Sequence, residues 1–214
     1  AADLGDDLNS LLPLADCVID FSHPSATATI VSLCLSHRKR LVIGTTGQCE
    51  NDLSLIRSAA ESIPIVLSPN FSTGVNLLFW LSKVTAQTLG ADFDIEIVEM
   101  HHRLKKDAPS GTAAKLLQIL AQARNLNPSD VSCYGRSGIT GERSSSEIGV
   151  HAIRGGDVVG DHTVIFATQG ERLELVHKAS NRHTFANGAL RAAAWLADKP
   201  PGLYDMLDVL GLPR

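Results

Sequence analysis

The sequence predicts an α/β protein in two parts: a parallel sheet with alternating helices, then an α+β region whose sheet is mixed and largely antiparallel. Two observations carry this. The runs "CVIDF" (17–21), "LVIGTT" (41–46) and "IPIVLSPN" (63–70) are separated by stretches with helical spacing, the pattern of buried parallel strands joined by crossover helices. Beyond residue 147 three strand-like runs follow one another with no helix between them, which suits antiparallel pairing.

Taken in order, helices are expected over 25–38 and 50–62, with Ser25 and Asn51 or Asp52 as N-terminal caps. In sheets of this kind ligands sit beyond the carboxyl ends of the strands. Here those ends carry Asp20 to His23, then Gly44, Thr45 and Thr46, then Ser68, Pro69, Asn70 and Phe71. A long helix is predicted over 73–89, a strand over 92–102 and a helix from Gly111 to Arg124. The stretch "GRSGITGERSSSEIG" is rich in Gly, Ser and charge without periodicity and reads as a mobile loop. Strands are expected at 148–154, 162–168 and 172–179, with hairpin-like connections at "GGDVVGD" and "QGE". A helix over 184–197 follows, with the first domain as a possible packing partner. The change of pattern divides the chain into a domain of residues 1–72 and 182–214 and another of residues 73–181.

Composition is that of a folded globular protein: 214 residues, 44% hydrophobic and 20% charged, with a net charge of -4. No long basic run favours nucleic acid, and the longest apolar stretch, 74–84, is too short and interrupted to cross a bilayer. Cys17, Cys34, Cys49 and Cys133 are widely spaced and suit reduced thiols in the cytoplasm.

The richest chemistry lies in "EMHHRLKKDAPSGTA" (99–113). Strand alternation sends His101 and His102 to opposite faces, and no further ligand stands at a zinc spacing, so no metal is expected. His101 suits a general acid or base. The segment "APSGTA" reads as a helix start, whose backbone N–H groups and positive dipole end favour an anion. His101, His102, Arg103 and Lys105 just upstream make a carboxylate pocket the better reading than an ordinary cap at Ser110.

The segment "EIVEMHHRLKKDAPSGTA" (96–113) resembles the signature of the 4-hydroxy-tetrahydrodipicolinate reductase family, also called dihydrodipicolinate reductases, of the diaminopimelate route to lysine. "VIDFSHP", "VIGTTG", "NFSTGVN", "GRSGITGER", "GDVVGDHTV", "ERLELVHKAS" and "TFANGALRAAAWL" follow in the family's order, so the resemblance spans nearly the whole chain. It implies a Rossmann-like nucleotide-binding domain, a substrate and oligomerisation domain, a homotetramer, NADH or NADPH as hydride donor and a small cyclic dicarboxylate as acceptor. By motif position it implies His101 and Lys105 as catalytic, and His102, Gly111 and Thr112 as substrate contacts. It further implies Gly44, Thr45 and Thr46, with Ser68, Pro69, Asn70 and Phe71, as cofactor contacts. The family's Gly-rich turn after a first strand is missing, since Gly5 is the only glycine before Gly44, and the chain is expected to be truncated at its N-terminus. Two other readings stay open: a related amino-acid or semialdehyde dehydrogenase, for which Cys49 would be the nucleophile, and a non-catalytic dicarboxylate-binding module.

Overall fold

The computed structural model describes residues 7–213; Gly5 lies outside them. Two compact units emerge, one holding the described residues up to Thr73 and from His183 onward, the other Gly74–Arg182.

In chain order the helices are α1 (Leu8–Leu11), α2 (Thr27–Ser36), α3 (Glu50–Ala60), α4 (Thr73–Leu89), α5 (Gly111–Ala123), α6 (Pro128–Val131), α7 (His183–Trp195) and α8 (Met206–Leu210). The strands are β1 (Cys17–Asp20), β2 (Arg40–Ile43), β3 (Pro64–Leu67), β4 (Asp94–His101), β5 (Ser132–Tyr134), β6 (Ile148–Arg154), β7 (Gly160–Thr168), β8 (Glu171–Ala179) and β9 (Gly202–Tyr204).

The first unit has an all-parallel sheet ordered β1-β2-β3-β9. Its inner strands β2 and β3 read as nearly continuous apolar runs because both their faces are covered. Leu41, Ile43 and Ile65 pack with Val31 and Cys34 of α2 and Ile56 and Ala59 of α3. Val42 and Val66 point the other way, onto Ala189 and Ala192 of α7 and Met206 and Val209 of α8. The short "PPGLYDMLDVL" end thus supplies an edge strand and a helix.

Two caps differ from the sequence reading. At the α2 end the side chain that accepts from a backbone amide is His23, whose Nδ1 takes the Ser25 N–H at 3.2 Å and lies 2.9 Å from the Ser25 hydroxyl. For α3 the cap is Cys49, with Asp52 reaching back to the Cys49 amide and thiol. Each helix begins a little away from the Ser, Asn or Asp that propensity favours, because another side chain already satisfies the end.

Close approach of α7 depends on Gly188. A β-carbon there would sit 1.7 Å from the Phe71 carbonyl oxygen, and backbone cannot rotate aside as a side chain can. Gly188→Ala is expected to destabilise the first unit by about 1–3 kcal/mol or more, read as a lower midpoint in thermal unfolding; an unchanged midpoint would show that α7 shifts freely.

The second unit has a five-stranded sheet ordered β5-β6-β4-β7-β8. It is mixed: β5–β6 and β6–β4 are parallel, while the longer ladders β4–β7 and β7–β8 are antiparallel. The hairpin expectation fails at "GGDVVGD", which joins two strands that do not pair with each other. It carries the chain from β6 past β4 to β7, because β4 occupies the place between them, whereas "QGE" does close the β7–β8 hairpin. One face carries Ile95, Ile97, Ile148, Val150, Val164 and Phe166 against α4 and α5.

The opposite face bears Glu96, on which the 135–147 loop is fastened. Arg136 and Arg143 both reach its carboxylate, Arg136 also pairs with Glu147, and Arg143 adds Asp94 and the Ile95 carbonyl. Burial alone would raise the Glu96 pKa; hydrogen bonds from Arg136, His151 and Arg143 hold it at about 2. The loop lacks regular structure as predicted, yet arginines tie it down. Its charge, read from sequence as a sign of mobility, is what anchors it.

Candidate active site

Strand β4 sets the site. Its alternation places Ile95, Ile97, Glu99 and His101 on the helix-covered face, and the last two emerge where the start of α5 replaces apolar packing. Glu99 is fully buried. Its Oε1 accepts from the Ser110 amide at 3.0 Å and from Arg154 Nη2 at 2.9 Å; its Oε2 accepts from Arg154 Nη1 at 2.8 Å and meets His101 Nδ1 at 2.5 Å. Burial pushes the Glu99 pKa up, but the Arg154 fork, His101 and the Ser110 amide outweigh it and leave the net shift downward. Glu99 is therefore a carboxylate.

Arg154 reaches Glu99 because it is the cross-strand partner of His101 on β6. It also donates to the carbonyls of Asp107, at 2.8 Å, and Ile153, at 2.7 Å, and so ties the 102–110 loop to the sheet. From the other neighbour, β7, His162 pairs with Glu99 in register. Its Nε2 lies 3.1 Å from the Ser110 hydroxyl, and its ring stands edge-on to His101 with centroids 5.2 Å apart. Burial, reinforced by the His101 charge, drives His162 down to about 4, so it is a neutral ring at physiological pH. Gly160 completes the surround: a β-carbon there would lie 3.0 Å from His101 Nε2, and glycine leaves that nitrogen approachable.

Ser110 is the N-cap of α5 and its hydroxyl accepts the Ala113 amide. The sequence-predicted Gly111 and Thr112 occupy the first two helical positions, where a helix N-terminus attracts an anion. Gly111 is exposed, with open space around its α-carbon. Lys105 holds both oxygens of Asp107, at 2.9 and 2.8 Å, and its charge is felt at His162. His102 begins the turn in which the Lys105 amide bonds its carbonyl. Thus the geometry joins His101 and the α5 start through one carboxylate, while His102 and Lys105 are not among the donors to Glu99.

A larger cavity of about 610 Å³ borders this cluster between Ala108, Pro109 and Val150 to Ala152. Its lining has no lysine or arginine, so it is poorly suited to a doubly charged acid.

Sequence reasoning missed Glu99, Arg154 and His162. For Glu99 a signal existed: glutamate two residues before a histidine on one strand must share its face. Arg154 and His162 depend on strand order, which no local pattern discloses.

The first unit gathers the residues read as cofactor contacts. Gly44 and Thr45 donate their amides to the Asp20 carbonyl at 2.8 and 3.3 Å, and a side chain at Gly44 would strike the Phe21 ring at 2.3 Å. Phe21 in turn packs edge-on to Phe71. The Ser68 hydroxyl donates to the Asn70 carbonyl, and Asn70 Oδ1 accepts the Ser72 amide, shaping the turn. Thr45, Thr46, Ser68 and Pro69 line one cavity of about 310 Å³. Thr45 Oγ1 is buried with no partner among the described residues, an orphaned hydroxyl of the kind a ligand satisfies. These residues fit a nicotinamide cofactor; Phe71, 1% exposed, supports the turn from beneath rather than through its side chain's exposure. Cys49 is exposed and donates to Asp52, in the capping role already described. No cluster of metal-ligating side chains occurs among the described residues, and no helix there is long and apolar enough to span a membrane.

Comparison with known proteins identifies the family. Residues 2–71 match the family described as "Dihydrodipicolinate reductase, N-terminus" and residues 74–210 that described as "Dihydrodipicolinate reductase, C-terminus". The chain is 56% identical over 99% of its length to a 4-hydroxy-tetrahydrodipicolinate reductase of Akkermansia muciniphila, covering 86% of that protein. It is 52% identical over 97% of its length to the enzyme of that name from Hahella chejuensis, covering 78% of it. A dipicolinate-bound dihydrodipicolinate reductase from Paenisporosarcina sp. TG-14 superposes with a TM-score of 0.78 at 30% identity, over 95% of this chain and 77% of the other. By its two matched halves and its relatives, the chain belongs to the dihydrodipicolinate reductase family.

Proposed function

We propose that the protein reduces 4-hydroxy-tetrahydrodipicolinate to tetrahydrodipicolinate with NADH or NADPH, in the diaminopimelate route to lysine, with His101 exchanging the proton. The observation that supports it most is the Glu99 carboxylate shared between His101 and the Ser110 amide, which sets an acid/base beside a helix start suited to a carboxylate. Removing the ring hydroxyl replaces hydroxide by hydride, so one proton is taken up as water leaves. When bound, the dihydronicotinamide supplies that hydride. In the protein, Thr45, Thr46 and the Ser68–Phe71 turn would hold it. Gly111 and Thr112 receive a substrate carboxylate, with His102 as a further contact.

Lys105 adds positive charge once a dicarboxylate competes with Asp107 for its ammonium. Lys105→Ala is expected to weaken pyridine-2,6-dicarboxylate binding and lower kcat/KM together, by roughly tenfold to a hundredfold, the worth of one hydrogen bond to a charged group; wild-type values would show that its pairing with Asp107 is all it does. A homotetramer fits the same reading. We place its contacts on the uncovered face of the second sheet, where Ile153 and Val176 are exposed. Free cysteines throughout the described residues suit the cytoplasm. The reaction is tested by the loss of nicotinamide absorbance with freshly generated substrate: steady oxidation is expected, and none at saturating substrate and cofactor would reject the assignment.

A further inference from the structure

We propose that Glu99 is the positioning residue that fixes the His101 tautomer, holding the proton on Nδ1 so that all proton exchange passes through Nε2. This deepens the functional reading above and rests on it for its catalytic consequence, though not for the tautomer itself.

The inference follows from counting donors. A carboxylate only accepts, and offers about two lone-pair directions on each oxygen. At Glu99 three are taken by groups that can only donate: the Ser110 amide and Arg154 Nη2 on Oε1, and Arg154 Nη1 on Oε2. The remaining one, on Oε2, faces His101 Nδ1 at 2.5 Å. Two acceptors at that distance would repel, so Nδ1 must carry hydrogen. Arg154 makes the arrangement rigid, since its fork meets both oxygens and its Nη2 and Nη1 are further anchored on the Asp107 and Ile153 carbonyls.

With Nδ1–H fixed, the neutral ring has its lone pair on Nε2, and Nε2 is the nitrogen that Gly160 leaves clear. As acid, the imidazolium gives its Nε2 proton and returns to the Nδ1–H imidazole; as base, the Nε2 lone pair takes a proton and the ring becomes imidazolium. Glu99 keeps its charge in both directions and balances the imidazolium. His162 does not compete for this role. It is 4% exposed and stays neutral, and its Nε2 is engaged with the Ser110 hydroxyl.

Glu99→Gln inverts the donor pattern at nearly constant shape. The Arg154 Nη2 and Ser110 donors claim the amide oxygen, so the amide NH2 takes the place of Oε2, forfeits the Arg154 Nη1 bond, and faces His101, favouring hydrogen on Nε2, the wrong nitrogen. Turnover is expected to fall on the order of 10² to 10⁴, the scale of a misplaced tautomer in a carboxylate-held histidine, while the Kd for pyridine-2,6-dicarboxylate stays within about threefold. A purely structural glutamate would instead move Kd and kcat together or neither, and either result overturns the proposal.

The test does not hinge on that variant folding. Nitrogen-15 NMR of the imidazoles in the unsubstituted protein, with His101 assigned by comparison with His101→Gln, reads the neutral tautomer directly at alkaline pH. Hydrogen on Nδ1 is expected, and hydrogen on Nε2 overturns the proposal. Failure of the reductase assay with hydrogen still found on Nδ1 would refute the reaction and leave the positioning role of Glu99 standing.

Discussion

Replacing His101 with glutamine is expected to lower turnover by about 10² to 10⁴, the range for loss of a positioned acid or base, while leaving dicarboxylate affinity almost unchanged. The side-chain amide of glutamine can still donate to Glu99, so the buried carboxylate is not left short of a partner, and folding should survive. What disappears is a ring that can both give and take a proton. Steady-state kinetics and calorimetric titration with pyridine-2,6-dicarboxylate separate the two effects. Equal losses in kcat and affinity would remove the acid/base role and make His101 a binding residue.

The second large effect is expected at Arg154. Its guanidinium is what most strongly keeps the buried Glu99 ionised, and Arg154→Met fills similar space without charge. Removing one member of a buried pair costs about 3–5 kcal/mol, because the other remains uncompensated. The pH dependence has a definite sign. In the wild type the Glu99 pKa is depressed from 4.5, so its contribution is complete above that unfolded value and is lost as pH falls through the folded one. In Arg154→Met burial dominates and the folded pKa rises, so acidification relieves the variant while it weakens the wild type. Denaturant melts should show the widest gap between the two proteins at neutral pH, narrowing toward pH 5. A constant gap, or none at neutral pH, would mean that Glu99 is not held as an anion by Arg154.

Much of this was legible along the chain. The β1, β2, β3 runs and helices α4 and α5 declare themselves by unbroken apolarity or by helical spacing, because tertiary burial and local pattern agree there. His101 and the start of α5 were visible for the same reason: both end a regular element, and ends are where sequence patterns change. Interleaving of β4 between β6 and β7 was not legible, since "GGDVVGD" has hairpin composition and nothing local states that another strand lies in the gap. Arg154 and His162 were hidden with it, for they become neighbours of Glu99 only through that strand order. The 135–147 loop shows a different failure. Arg136 and Arg143 look solvated in the sequence, and Glu96, Glu147 and Asp94 become their partners only once the sheet brings them together.

Whether one pocket unites the imidazole and the helix start can be measured by titrating isotope-labelled protein with pyridine-2,6-dicarboxylate and following the His101 ring and the Gly111 and Thr112 amides by NMR. All three should shift along a single saturation curve with one Kd. Separate curves, or a His101 signal that stays still while the amides saturate, would contradict the account.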